Sequence, residues 1–471
     1  MNLKNSGKQV EMGKKGRIFV NKHYRRQQIA ANLKSGIESI VVKKTTSTLN
    51  DVSTMQDLNE RIYSLVLRII QNGIIPVIKV EGNLAYTVDP VYGISRNRVS
   101  AECAKTLLRI NGFNGNDYTG LIEKLLNWVL ENQNPDGSWN EVHVKYNHPS
   151  ALITSIVGEV LVDGYLLLKD ERFKKAALQA KDFVLANQFS PGYFKKSSIY
   201  VADHLNVDAT CGAFLAKYGK VFSDYQCLDA ARITAEHICK YQFSDGAFPY
   251  TNENKGNYQY CLNIPCIHYQ GVTLYYLLKI IDSLQSDGID LKFQKGVEWL
   301  VAVQFPDGKF DWSKSGLMFA YYLSGAYAFV IPCFMYGTKW NSNYFGNAEK
   351  ALRVLEKNVK SIVNRWESDS MLSFPSSVFT AFDTANIGNY PVNHRLFRFG
   401  YGMYRQFARR RFSNSVNPKL FNILSGMMNI STSTIEPDNN FPDLFMTSEV
   451  LDCLSYTISK YLETKVNFTR Q

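Results

Sequence analysis

Apolar positions in this chain recur at helical spacing over long segments, and four of those segments close alike, with a glutamine and then a glycine four residues later. The pairs are Gln133/Gly137, Gln188/Gly192, Gln242/Gly246 and Gln304/Gly308, set in WVLENQNPDGSW, FVLANQFSPGYF, HICKYQFSDGAF and WLVAVQFPDGKF. Five residues before each glutamine stands an anchor (Trp128, Phe183, His237, Trp299), and six after it an aromatic (Trp139, Phe194, Phe248, Phe310). Successive glutamines lie 55, 54 and 62 residues apart, room for one helix pair per repeat. Each repeat reads as an outer helix ending at the glutamine, a glycine turn, and an inner helix running back.

The pattern predicts Leu121–Asn132 with an inner helix from Ser150, Lys174–Asn187 with Val207–Lys217, Leu228–Tyr241 with Ile267–Leu284, and Phe293–Val303 with a return from Ser315. Met55–Gln71 with Ser100–Ile110, and Asn347–Val363 with a segment between Pro375 and Arg410, bring the pairs to six. Hairpins that cannot bury their apolar faces alone can close into a double ring around a central cavity. The predicted fold is therefore all-α, an (α/α)6-type toroid over 49–471, preceded by a basic arm over 1–48. Pro418–Met428 and Thr447–Thr464 are expected to seal the ring or pad one end.

The turn chemistry accounts for the repeat itself. A glutamine near a helix end can satisfy carbonyls that lack intrahelical partners, and glycine permits the positive φ of the turn. Asp136, Asp245 and Asp307 in these turns read as turn formers rather than catalysts.

Composition changes the picture in three places. The formal net charge is +11 over 471 residues, and much of it lies in the first 45, where eleven Lys and Arg face only Glu11 and Glu38. Such an arm suits an anionic surface or polymer, and peripheral membrane contact through it is compatible with the charge. No helix-turn-helix, zinc-finger or RNA-binding signature accompanies it, so nucleic acid is not expected as a partner. The eight cysteines sit mostly in apolar periodic segments and read as reduced core residues. Without an apolar leader the expected compartment is the cytoplasm. Leu317–Tyr336 is uncharged over a length that could span a bilayer, but its place in the repeat makes it an inner helix, and no stable membrane insertion is expected.

NQNPDGSW at Asn132–Trp139 resembles the QW repeats of squalene and oxidosqualene cyclases and of protein prenyltransferases, and VQFPDGKFDW at Val303–Trp312 is a weaker copy. The resemblance covers roughly Leu121–Tyr336 and implies the α/α toroid, a fold that also serves glycoside hydrolases, uronic-acid polysaccharide lyases and glucuronyl 5-epimerases. A cyclase of this kind implies a DxDD acid, whose nearest match is Asn206-Val207-Asp208-Ala209-Thr210, with Asp208 in the acid position and both flanking carboxylates missing.

Polar and aromatic residues collect between the glycine turns and the inner helices, a phase that should bring them to one rim. Five of the seven histidines fall in four such loops: Glu141–His148, Tyr200–Asp208, Tyr250–Gln270 and Asn389–Arg395. His, Tyr, Asn and Arg suit proton abstraction beside the carboxylate of a uronosyl sugar. In that scheme His204 or His268 is the base, Tyr260 or Tyr146 delivers the proton, and Arg395, Asn206 and Asn263 hold the carboxylate. His148 joins the binding set, and Trp139, Tyr250 and Trp312 stack on sugar rings. The expected activity is thus that of a carbohydrate-active enzyme on an acidic saccharide, epimerase or lyase in type, in surface polysaccharide synthesis or modification, with no cofactor. Three alternatives stay open: an isoprenoid cyclase or prenyl transferase with Asp208 as acid, a glycoside hydrolase pairing Asp208 with Asp203, Glu141 or Asp311, and a noncatalytic glycan-binding or assembly protein. No metal is expected, although Cys261, Cys266 and His268 could together supply zinc ligands.

Overall fold

The computed structural model describes residues 55–143, 146–198, 202–252, 265–284, 287–311, 323–359, 362–366 and 437–469. The chain divides into two units, Met1–Arg61 and Ile62–Gln471. In the first, 55–61 are described and are helical. The basic arm over 1–48 lies outside the described residues.

The second unit is an α/α toroid. Its described helices are α1 (62–69), α2 (Asn97–Ile110), α3 (Thr119–Glu131), α4 (Ala151–Leu168), α5 (Glu171–Ala186), α6 (Leu205–Phe222), α7 (Tyr225–Lys240), α8 (Ile267–Leu284), α9 (Asp287–Ala302), α10 (Leu323–Gly337), α11 (Tyr344–Asn358) and α12 (Leu444–Thr469). Packing runs α2 on α4, α4 on α6, α6 on α8, α8 on α10, α10 on α12, and α12 back on α2, so six inner helices close a ring. The odd-numbered helices α3 to α11 pack outside it. At the outer seam Arg68, at the end of α1, donates to the Val359 carbonyl just past α11, at 2.8 Å.

Two features correct the sequence reading. The sixth inner helix, expected between Pro375 and Arg410, is α12, which contains the Thr447–Thr464 segment expected to seal the ring or pad one end; its packing on both α2 and α10 makes it the closing element. The segments Pro375–Arg410 and Pro418–Met428 lie outside the described residues. Moreover, among helices consecutive in sequence the tighter pairs run from inner to outer. Lys169-Asp170 joins α4 to α5 and Ser223-Asp224 joins α6 to α7, with Lys169 and Ser223 in the left-handed region (φ 57° and 58°). Asp170 and Asp224 then cap the outer helices by accepting from Arg172 N and Cys227 N.

The glutamine-glycine turns instead connect each outer helix to the next inner one and fasten neighbouring repeats. Gln133 Nε2 donates to the carbonyls of Gly137 (3.0 Å) and Ala176 (3.1 Å), the latter on α5. Gln242 repeats this with Gly246 (3.0 Å) and Lys292 (2.7 Å) on α9, and Gln304 with Gly308 (3.2 Å) and Asn347 (3.3 Å) on α11. A Cβ on Gly137, Gly246 or Gly308 would collide with the carbonyl of Gln179, Lys295 or Lys350 on the following outer helix, and all three glycines have positive φ. Asp136, Asp245 and Asp307 accept the backbone N–H two residues on, as turn formers do. Short antiparallel ribbons interrupt some connections: β1 (Ile78–Glu81) with β2 (Leu84–Thr87), β3 (Asn140–His143) with β4 (Tyr146–Pro149), β5 (Gln188–Ser190) with β6 (Tyr193–Phe194), and β7 (Asn364–Trp366) with β8 (Pro437–Pro442).

Among the described residues one helix, α4, is long and apolar enough to cross a membrane by composition. As an inner helix with most of its surface buried, it is accounted for by the core. The described part of the uncharged segment Leu317–Tyr336 forms most of α10, buried from Ser324 to Phe334.

Candidate active site

The starts of the inner helices lie at one end of the ring, as contacts among their first two turns show: Ser448 of α12 with Glu102 of α2 and His268 of α8 with Phe329 of α10. His204 is the N-cap of α6, and His268 is the second residue of α8. A wall of rings links them: His204 meets Tyr250 edge-on with centroids 5.1 Å apart, Tyr250 lies 4.4 Å from Tyr269, and Tyr269 lies 4.9 Å from His268. His268 in turn meets Phe329 of α10 at 5.6 Å. The phase argument from the sequence therefore brings His204, Tyr250 and His268 together.

His204 Nδ1 lies 2.8 Å from the Ala202 carbonyl. A carbonyl only accepts, so Nδ1 carries the proton and Nε2 is the basic nitrogen. Burial, and after it the cation of Lys196, pull the imidazole down to about 4. Lys196 itself pairs with Glu141 at 3.0 Å. Sequence reasoning passed over Lys196, whose only signal was its place two residues after the repeat aromatic Phe194.

The other predicted site residues divide. Asn206 is buried on the first turn of α6, and its Oδ1 has no hydrogen-bond partner. His148 is half-buried on β4, in register with Glu141 of β3, and Tyr146 stands on β4 opposite His143. Cys266 is buried and is not in a disulfide. Tyr260, Cys261, Asn263, Trp312 and Arg395 lie outside the described residues. Trp139 corrects the sequence reading: fully buried, it donates its indole N–H to the Val129 carbonyl at 2.8 Å, so it is a core residue with no face for a sugar.

Asp208 holds two relations at once. Its Oδ1 accepts the backbone N–H of Phe194 at 2.8 Å. The same bond recurs around the ring, from Trp139 N to Thr154 Oγ1 (2.9 Å), Phe248 N to Gln270 Oε1 (2.6 Å) and Phe310 N to the Tyr327 hydroxyl (3.3 Å). Asp208 is therefore a scaffold acceptor by position, which is what the repeat asks of it. It also adjoins Asp203, whose Oδ2 takes the Asn252 amide (3.1 Å) and lies 3.0 Å from His237 Nε2. Burial and then the Asp203 charge push the Asp208 carboxyl well above the usual range. Burial works the same way on Asp203, but hydrogen bonds, that from His237 foremost, bring its carboxyl below its ordinary value.

Deeper in the ring lies a set of charges the sequence analysis did not assign. Glu159 of α4 takes Lys105 of α2 at 2.7 Å and Lys279 of α8 at 2.5 Å. Asp452 of α12 takes Arg109 of α2 at 2.8 Å and the Tyr275 hydroxyl of α8 at 2.9 Å. Since α8 neighbours only α6 and α10 around the ring, these bonds cross its axis. Nearer the helix starts, Arg98 bonds Glu102 (2.8 Å) and Glu449, and Ser448 donates to Glu102 at 2.5 Å. Glu159 and Asp452 stand nine residues into their helices, about 12 Å below the mouth. The mouth thus has a charged, hydrogen-bonded floor. Burial opposes ionisation of Glu159, yet Lys105, Lys279 and Lys217 hold its carboxyl well below the usual range. Burial lowers Lys279 to about 7 and raises Glu449 to about 7. The signal for these residues was a single charge inside an apolar run, as with Glu159 in LITSIVGEVLV and Lys279 in VTLYYLLKII.

No family model matches the chain, and no curated protein matches it. Solved structures do. An unsaturated glucuronyl hydrolase specific for heparin aligns over 87% of this chain and 98% of its own, with a TM-score of 0.52 and 12% identity. A cellobiose 2-epimerase from Bacillus thermoamylovorans B4167 aligns over 65% of this chain and 90% of its own, with a TM-score of 0.52 and 9% identity. At such identity the likeness establishes the α/α-toroid fold.

Proposed function

We propose that this toroid is a carbohydrate-active enzyme that transfers protons at the mouth of its inner ring, in the manner of an epimerase or lyase, on an acidic saccharide. The observation that carries this reading is the pair His204 and His268, set at the starts of consecutive inner helices and joined by the Tyr250–Tyr269 wall. Two imidazoles on one aromatic face can serve a sugar ring as base and acid, while the tyrosines offer it apolar contact. The Ala202 carbonyl orients His204 so that Nε2 is the nitrogen able to take a proton. Lys196, close enough to depress His204 and ion-paired with Glu141, is a cation that a uronosyl carboxylate would share with Glu141. The similar folds of a glucuronyl hydrolase and a sugar epimerase agree with a saccharide at this mouth.

Purified protein incubated in deuterated water with uronate-containing oligosaccharides should either exchange deuterium into the sugar or form an unsaturated product. His204→Asn and His268→Asn should each lower kcat by roughly 10²- to 10⁴-fold, the usual weight of a positioned acid or base. Release of reducing ends without exchange or unsaturation would replace this reading with hydrolysis, for which Asp203 and Asp208 are the adjoining carboxyls.

A further inference from the structure

At two positions the Gln188/Gly192 repeat and its following helices depart from the other repeats, and the two departures meet. Five residues before the glutamine the repeats carry Trp128, Phe183 and Trp299, but His237 occupies that place on α7. Where the inner helix accepts the N–H of the repeat aromatic, Thr154, Gln270 and Tyr327 do so with neutral groups, but α6 uses the carboxylate of Asp208. The scaffold does not require either change: Asp208 Oδ1 fills the acceptor role that neutral groups fill elsewhere, and its second oxygen and the His237 imidazole are surplus to that role.

Asp203, Asp208 and His237 each present a ligand atom within 4.8 Å of the others. His237 Nε2 lies 3.0 Å from Asp203 Oδ2 and 4.0 Å from Asp208 Oδ2. Tetrahedral ligands on bonds of about 2.1 Å stand about 3.4 Å apart, between these two separations. Asp203 Oδ1 and Asp208 Oδ2 are buried and receive no hydrogen bond from the rest of the protein, so the two adjoining carboxyls must be held together by a proton on Asp208 or by a cation in its place. Two carboxyls in a buried site cannot both stay ionised without a positive species between them, and a metal ion can displace the shared proton. The imidazole is already aimed: it lies parallel to Tyr193 (9° between rings) and edge-on to Tyr241, while Gly192 lacks the Cβ that would collide with His237 Cβ.

We propose that Asp203, Asp208 and His237 bind one divalent cation of the zinc class, with a water as fourth ligand. One nitrogen and two carboxylates suit a borderline first-row ion better than magnesium or calcium, which take more oxygens. The ion would tie α7 to the start of α6, and through Asp203 it would position the neighbouring His204. His237, with 14% of its side chain exposed, gives the ion a route in from solvent.

The test is metal retention by the whole chain, prepared without a polyhistidine tag, loaded with zinc and then dialysed against metal-free buffer. The wild type should keep close to one equivalent by elemental analysis, and zinc should raise its unfolding midpoint. His237→Phe, which installs the residue of a sister repeat, should keep neither property, whereas Cys266→Ala should keep both. Cobalt-loaded wild type should show tetrahedral visible bands without thiolate charge transfer, a readout that needs no variant. Absence of retained metal and of any zinc-dependent shift in the wild type, equal retention in His237→Phe, or a thiolate band would each overturn the proposal.

Discussion

A single side chain does most at the repeat turns. Gln242 gives both protons of one amide to carbonyls on two elements, so Gln242→Ala takes a donor from Lys292 and leaves the Gly246 carbonyl with Gln270 alone of its two side-chain donors. The expected cost is about 1 to 3 kcal/mol in chemical denaturation. Gly246→Ala should cost more, on the order of 3 kcal/mol or above, because its φ of 98° disfavours a side chain and its Cβ would strike the Lys295 carbonyl. Glu449 allows a pH experiment. Burial raises its carboxyl from 4.5 to about 7, so between these values the folded protein binds the proton that the unfolded chain has released. Stability therefore falls as pH rises through that window, by on the order of 2 to 3 kcal/mol. Glu449→Gln should flatten this slope between pH 5 and 8 in thermal melts, and an unchanged slope would remove Glu449 as its source.

At the scale of elements, the inner helices reconcile apolar surfaces with an ionic axis. Each is apolar toward its ring neighbours, yet α2, α4, α8 and α12 send Lys105, Glu159, Lys279 and Asp452 inward to meet. Removing one partner from a sealed network strands the remainder, so Lys105→Met should destabilise by roughly 3 to 5 kcal/mol in urea unfolding. A cost below about 1 kcal/mol would mean that water reaches the axis. The outer helices answer to simpler rules: Asp170 and Asp224 cap them, and the glutamine turns fasten them to the next repeat. Helix existence was legible from periodicity for α1 to α12, each of which overlaps a segment the spacing predicts as helical. What periodicity could not show was which helix of a pair packs tighter, since that depends on the two-residue turns at Lys169 and Ser223 rather than on the conspicuous glycine turns.

For the whole molecule, ring closure is the decisive event. Residues of α12 bond α2 through Arg98–Glu449 and Arg109–Asp452, contacts more than 340 positions apart in the chain. A chain truncated before Leu444 should lose the single cooperative unfolding transition, because α2 and α10 would each expose the face that α12 buries and Arg109 of α2 would lose Asp452. Retention of one sharp transition in that variant would show that the ring closes without α12.

From the sequence by itself came the helix period, the toroid, the role of glutamine and glycine in the turns, and the common phase of the histidine loops. All of these rest on local spacing or on repeats of it, which survive in one dimension. The tertiary structure alone decided that α12 completes the ring, that Trp139 is core, that Asp208 answers a backbone N–H and adjoins Asp203, and that lone charges in apolar helices meet on the axis. Those facts depend on which residues distant in the chain become neighbours when six inner helices close, and a spacing rule carries no information about that.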